Sequence, residues 1–350
     1  MVNYLDSRRI MGTTAERSSI PVPATTGGWV ELGRTTLGSA GDTITVSSLA
    51  DKRYYMILSS EIKSGTNSTP FIRFNNDSGS NYARRYHVLG GEYTNTSVDN
   101  IGMNISSSSG HQFQVGYWAN YASKEKLGII HAVSQQTAGA TTAPDRNEIA
   151  PKWANTSNAI NRVDVINADS GTGDFDTGSE VVVLGWDPAD THTNNFWTQV
   201  GESTWSSGSS LPTVDLGGDY KYLWLQFWTT SASVNRQSLR LGDGSIDTGT
   251  NYATRYSENG GADVTSTSAD HWICHNGNKL EYCNMFIVNT TNEKLAIMHV
   301  ANTASNGAGS APVRFEGVGK YTGASVIDQI QVYDTTNNFT GGQIKVWGAN

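Results

Sequence analysis

The chain has little of what many folds rely on. Only two of its 350 residues are cysteine, so no disulfide-dense scaffold holds it and stability has to come from packing. No segment approaches the ~20 apolar residues of a membrane-spanning helix. Charged residues make up only 16% of the sequence, with a net charge of -8 and a pI near 5.3. Clustered Lys and Arg are missing, which argues against a nucleic-acid partner held through its phosphates. Helix formers are scarce, and no window carries a long 3.6-residue apolar period. The stretch from Met1 to Thr14 is polar and has no apolar core of a signal peptide. The expectation is a chain released without the usual secretion route, as on cell lysis, or one whose leader was removed.

Gly, Ser, Thr and Asn fill the space left by charge and helix formers. Aromatic residues still stand at 10%, which separates this composition from that of a disordered chain. Short β-branched and aromatic strands between polar turns produce such a profile.

The strongest signal is a long internal repeat. Trp29-Val-Glu-Leu-Gly33 answers Trp197-Thr-Gln-Val-Gly201, and Asp51-Lys-Arg-Tyr54 answers Asp219-Tyr-Lys-Tyr222. Asn81-Tyr-Ala-Arg-Arg-Tyr86 answers Asn251-Tyr-Ala-Thr-Arg-Tyr256, and Glu125-Lys-Leu-Gly-Ile-Ile-His131 answers Glu293-Lys-Leu-Ala-Ile-Met-His299. Order is kept and spacing drifts by a few residues, over a period far longer than a solenoid unit. Each copy is therefore expected to be a domain. The division is an N-terminal arm (1–26), a first domain (27–186), a polar linker (187–193) and a second domain (194–350). Within each, some eight to ten short strands with Gly- and Asn-rich turns predict an antiparallel β-sandwich of the jelly-roll kind. Lys52 to Ile62 and Lys221 to Trp228 are apolar on both faces, as strands covered on both sides would be. Asn276-Gly277 carries a hairpin signal.

The opening Leu5-Asp-Ser-Arg-Arg-Ile-Met-Gly-Thr13, followed by a Trp-led domain and by domain ends built as a Gly-hydrophobic-Gly strand, resembles virion structural proteins of marine tailed viruses. The resemblance implies a capsid decoration, spike, fibre or tail component at the surface of an extracellular particle. Its implied partners are copies of itself and other virion proteins. It brings no family active site, and the chain is not expected to be an enzyme. The arm, with Arg8, Arg9, Ile10 and Met11, reads as a docking segment that orders on a neighbouring subunit. Two alternatives stay open: a carbohydrate- or receptor-binding part of a tail, with a host-surface glycan as ligand, and a double jelly-roll shell protein.

The candidate chemistry is sparse. Tyr220, Tyr222, Trp224 and Trp228 alternate and are expected on one face of a strand, with Leu223, Leu225 and Phe227 on the other. The aromatic face is either a core or interface surface, or a platform for stacking sugars. His271, Cys274, His275 and Cys283 lack the paired ligand loops of a structural zinc site. The repeat sets Cys274 and Cys283 opposite Met103 and Val115, so both cysteines read as small buried residues. A disulfide between them is left open. No cofactor is expected. Asn75-Asn-Asp77, Asp174-Phe-Asp176 and Asp243-Gly-Ser-Ile-Asp247 leave a bound calcium open, although none has a complete ligand series. His131 and His299 share one position and are expected to share one structural role, such as a hydrogen bond closing a sheet edge. Arg85 with Tyr86, and Arg255 with Tyr256, read as guanidinium-on-ring pairs.

Overall fold

A computed structural model describes residues 4–5, 8–9, 28–63, 69–103, 110–168, 175–188, 190, 194–206, 213–231, 234–278, 280–303, 307–334 and 339–350. The fold is all-β, and every strand pairing is antiparallel. A short pair, β1 (Tyr4–Leu5) and β2 (Arg8–Arg9), comes first. The first half then runs β3 (Val30–Thr36), β4 (Thr43–Ser47), β5 (Tyr54–Lys63), β6 (Pro70–Phe74), β7 (Tyr82–Val88) and β8 (Gly91–Val98). It continues with β9 (Ile101–Gly102), β10 (Gly110–Ala119), β11 (Lys126–Ser134), β12 (Asp145–Trp153), β13 (Arg162–Asn167) and β14 (Glu180–Trp186). The second half opens with β15 (Thr198–Trp205), β16 (Val214–Asp215), β17 (Tyr222–Ser231), β18 (Val234–Gly242), β19 (Tyr252–Glu258) and β20 (Val264–Ala269). It closes with β21 (Trp272–Asn278), β22 (Glu281–Val288), β23 (Lys294–Asn302), β24 (Val313–Tyr321), β25 (Gln329–Asp334) and β26 (Phe339–Ala349).

The duplication is complete at the level of topology. An eight-stranded sheet ordered β3-β14-β5-β10-β11-β12-β7-β8 and a four-stranded sheet ordered β4-β13-β6-β9 form the first sandwich. The second sandwich has β15-β26-β17-β22-β23-β24-β19-β20 over β16-β25-β18-β21, the same orders displaced by twelve strands.

Three apolar layers result. Ile44, Ile57, Phe74, Trp118, Trp153 and Val183 belong to the core of the first sandwich. Leu223, Leu225, Phe227, Trp272, Met285 and Ile344 belong to that of the second. A third cluster joins Met56, Leu58, Phe113 and Val182 to Tyr222, Phe286, Leu295 and Val318, so the two eight-stranded sheets pack face to face. This explains the two-sided apolar strands. In β5, Tyr55 and Ile57 point into the sandwich while Met56 and Leu58 point into the seam between halves. At roughly 1.5–3 kcal/mol for each large apolar side chain fully removed from water, a seam of this size joins the halves firmly instead of leaving them on a loose tether.

The turns between strands are set by backbone conformation. Leu89-Gly90 links β7 to β8 and Asn259-Gly260 follows β19, with φ of 49 and 88 and of 53 and 75 degrees. Two successive positive φ values are the mark of a type I′ turn, for which Asn-Gly is well suited. The Asn276-Gly277 hairpin expectation is corrected. Both residues lie inside β21 and pair with Arg236 and Asn235 of β18, and the next strand, β22, belongs to the opposite sheet. Arg8 and Arg9 pair with Leu5 and Tyr4, whereas Ile10 and Met11 lie outside the described residues. In the linker, Asp187 and Asp190 hold the first half: Asp187 accepts from the Arg53 amide at 3.2 Å, and Asp190 pairs with Lys52.

Candidate functional site

The feature that sets this molecule apart is the seam between the two eight-stranded sheets, together with the parts of those sheets that it leaves open. Each sheet has a near end, where β5 or β17 starts, and a far end, where that strand finishes. The seam joins the far end of the first half to the near end of the second. Phe113 and Tyr222 stack there with ring centroids 6.2 Å apart. The Tyr222 hydroxyl donates to Glu180 at 2.8 Å, and Lys221 pairs with the same carboxylate at 3.0 Å. Burial opposes charge on Glu180, but hydrogen bonds from Thr36, Lys221 and Tyr222, with the lysine's charge, hold its carboxyl below the usual range. Burial and Glu180 together push the Tyr222 hydroxyl well up. The buried Lys320 ammonium donates to the carbonyls of Gln135 and Thr137, at 3.1 and 2.6 Å.

Further along the seam, repeated residues of the two halves meet. His299 Nε2 and His131 Nδ1 are 2.9 Å apart and share a hydrogen bond. On the neighbouring strand His131 faces Glu148, and His299 faces Glu316. Arg146 reaches Glu148, Asp263 at 2.7 Å and Glu316 at 3.8 Å. Arg255 donates to the Pro144 carbonyl at 2.7 Å and lies 3.6 Å from Asp145. Burial dominates the protonation of the cluster. It lowers His299 to about 4, and it lowers His131 well below the usual imidazole value, with the charges of His299 and Arg146 adding. Glu148 is pushed up to about 7 by burial, with Arg146 opposing and Glu316 adding. Burial raises Asp145 to about 6. The two histidine nitrogens that meet are engaged with each other, so the arrangement is a latch between sheets in which a proton count matters.

Equivalent positions of the two halves have opposite exposure. Leu127 and Ile129 are 58% and 56% exposed, while their counterparts Leu295 and Ile297 are 0% and 2% exposed. Conversely Trp228 and Tyr282, cross-strand neighbours, are 39% and 45% exposed, while their counterparts Ser60 and Phe113 are both 1% exposed. The open near end of the first half is a groove of about 400 Å³ lined by Trp29, Tyr54, Tyr117, Leu127, Ile129 and Trp186.

The residues singled out in sequence fall into different places. Tyr222 is fully buried in the seam, and Trp224 is half-buried there with its indole donating to Asn284 at 2.7 Å. Trp228 is exposed, whereas Tyr220 precedes β17 and packs against the second sandwich core. The expected single aromatic face is therefore corrected: alternation starts only where the strand does. Cys274 and Cys283 are free, buried thiols in that core, and burial with the neighbouring Cys274 pushes the Cys283 thiol well up. Strand register corrects one internal match. Cys283 pairs with Phe227 and Val300 as Gln114 pairs with Ser59 and Ala132, so it stands where the first half has Gln114, not Val115.

The acidic loops are occupied by their own turns. Asp77 accepts from the Gly79 amide, Asn81 and the Trp153 indole, and Asp247 from the Gly249 amide, Asn251 and the Tyr321 hydroxyl. Asp174 lies outside the described residues. Among the described residues no group of three or more His, Cys, Asp or Glu is placed to hold a metal. His131 and His299 do not close a sheet edge, because β11 and β23 are interior strands. Their carboxylate neighbours Glu148 and Glu316, themselves a repeated pair, were missed in sequence. The equal spacing to each histidine was the signal. The guanidinium-on-ring expectation is corrected too: Arg84, not Arg85, covers Tyr86 at 4.8 Å, and Arg255 serves the seam while Tyr256 stacks on Phe315.

No protein-family model matches the chain, and no curated protein does. Among solved structures it is similar to the LG1–3 region of the laminin α2 chain, at 10% identity and TM-score 0.22, over 88% of this chain. It spans 64% of that structure's length. It is also similar to domains LG4–5 of the mouse laminin α1 chain, at 13% identity and TM-score 0.20, over 91% of this chain and 88% of the other.

Proposed function

We propose that this chain is a non-enzymatic structural protein of a virus particle, a capsid decoration, spike or tail-fibre component that works by self-assembly and surface contact. The observation that carries the reading is the pair of apolar surfaces left open beside the seam. Leu127 and Ile129 project from a groove walled by aromatic rings, and Trp228 stands beside Tyr282 on the other half. Contiguous apolar surface of this kind marks contact sites on folded proteins. The resemblance of residues 5–13 to virion proteins supplies the setting, and the arm supplies a second docking element. The test is the mass of the purified chain in solution, with and without residues 1–26. A defined oligomer or larger array from the intact chain supports the reading. Monomers from both forms overturn it.

A second reading rests on Trp228 and Tyr282 alone. Two exposed aromatic residues at paired strand positions offer faces on which a sugar can stack, so a host-surface glycan is the ligand of this alternative. Binding on a glycan array that is lost with Trp228→Ala supports it, and an array without signal overturns it.

A further inference from the structure

We infer that the two open ends are mates. The near end of the first half in one molecule takes the far end of the second half of another copy of this chain. This rests on the assembly reading above and names its contact.

The molecule contains a worked instance of the contact. Within one chain the far end of the first sheet, with Ser60, Phe113 and Glu180, is seated on the near end of the second, with Tyr222, Leu295 and Ile297. What stays open is the near end of the first sheet and the far end of the second. Those are the duplicated counterparts of the two ends that already fit each other. The open contact is continuous with the closed one, since Trp29 and Tyr117 line the groove and also pack against the seam cluster.

The chemistry of the two ends is complementary as well as homologous. The groove offers Leu127 and Ile129 between aromatic walls, and the far end offers Trp228 and Tyr282, exposed at paired strand positions, with Leu280 exposed two residues before Tyr282. Aromatic anchors entering an apolar groove are the usual centre of a stable interface. Each end is flanked by both signs of charge, Lys152 with Glu125 at the groove and Lys345 with Glu202 at the far end, so like charges need not oppose docking. A contact between two different surfaces is heterologous, and it builds a ring when the rotation closes and a filament when it does not.

Two full-length variants test this by sedimentation velocity: Leu127→Asp with Ile129→Asp, and Trp228→Asp with Tyr282→Asp. Circular dichroism checks the fold of each, and serine replacements at the same sites stand in for an aspartate variant that fails to fold. Each variant alone is expected to associate roughly tenfold more weakly or not at all, as for loss of an interface centre. An equimolar mixture is expected to form pairs and nothing larger, because one variant keeps an intact near end and the other an intact far end. Wild-type assembly that both variants share unchanged overturns this inference and leaves the assembly reading standing. Loss with the groove variant alone, and none with the Trp228 variant, also overturns it, because the groove then receives something else. A monomeric wild type overturns both.

Discussion

Leu127 and Leu295 occupy one position in two versions of the same sheet, follow the same Glu-Lys pair, and have opposite fates. The second is fully buried and the first lies in the open. Strand order and register are shared and the flanking residues nearly so, which places the cause of the difference outside the local chain. It comes from docking, because the two sheets meet by unlike ends and only one of the two leucines lies where they meet. Burial is thus a property of the assembled fold, and a repeat exposes this by presenting the same segment twice. The sandwich interiors differ in a second way. Where the second half places Phe227 and Cys283 in its core, the first has Ser59 and Gln114, whose side chains serve the buried Glu61. Burial raises the Glu61 pKa while Ser59, Lys63 and Gln114 oppose the shift.

The contrast can be broken most sharply at Phe113 and Tyr282. Phe113→Ala is expected to cost about 3–5 kcal/mol in urea unfolding, as for a large buried aromatic. Tyr282→Ala, at the matching open site, is expected to stay within about 0.5 kcal/mol under dilute monomeric conditions. Comparable losses at both sites would show that the far end of the second half is covered in solution. Arg146 and Arg314 make the next test. Arg146→Met takes the nearer cation from half-buried Glu148 and from Asp263, which keeps Arg255 at 3.9 Å, and is expected to cost roughly 3 kcal/mol at pH 7. The loss should shrink at pH 5, where Glu148, raised to about 7, holds a proton. Arg314→Met, on an exposed side chain, should be nearly silent.

A smaller effect tests the histidine latch. The folded state keeps His299 neutral down to about 4, while the unfolded ring takes a proton below its usual 6.5. That contribution is therefore complete above pH 6.5 and is lost as pH falls toward 4, on the order of 3 kcal/mol for this one ring. Glu148 runs the other way. Its folded value is raised, so its contribution is present below 4.5 and is lost as pH rises through about 7. The double variant His131→Asn with His299→Asn is expected to flatten the fall in stability between pH 6.5 and 4, whatever its level at neutral pH. An unchanged slope would remove the latch as a proton-linked element. The smallest effect concerns reactivity. Cys283, buried with its pKa well up, should resist a thiol reagent in the folded protein and react once urea unfolds it.

The sequence by itself determined the all-β class, the duplication and the strands covered on both faces. These follow from period, composition and order, and all are properties of a chain read locally. Alternation could set Leu223, Leu225 and Phe227 on one face of a strand and its rings on the other, because that much survives any arrangement of the sheets. The seam was not legible in this way. Which face of β17 meets another sheet, and which end of that face stays open, depends on how two finished sandwiches stack. Trp224 and Trp228 alternate identically in sequence, yet one is held at the seam and the other stands in solvent. The meeting of His131 with His299, 168 positions apart in sequence, was likewise decided only by the tertiary structure. Burial of the long-range contact surface, not local pattern, selects which repeated residues face one another.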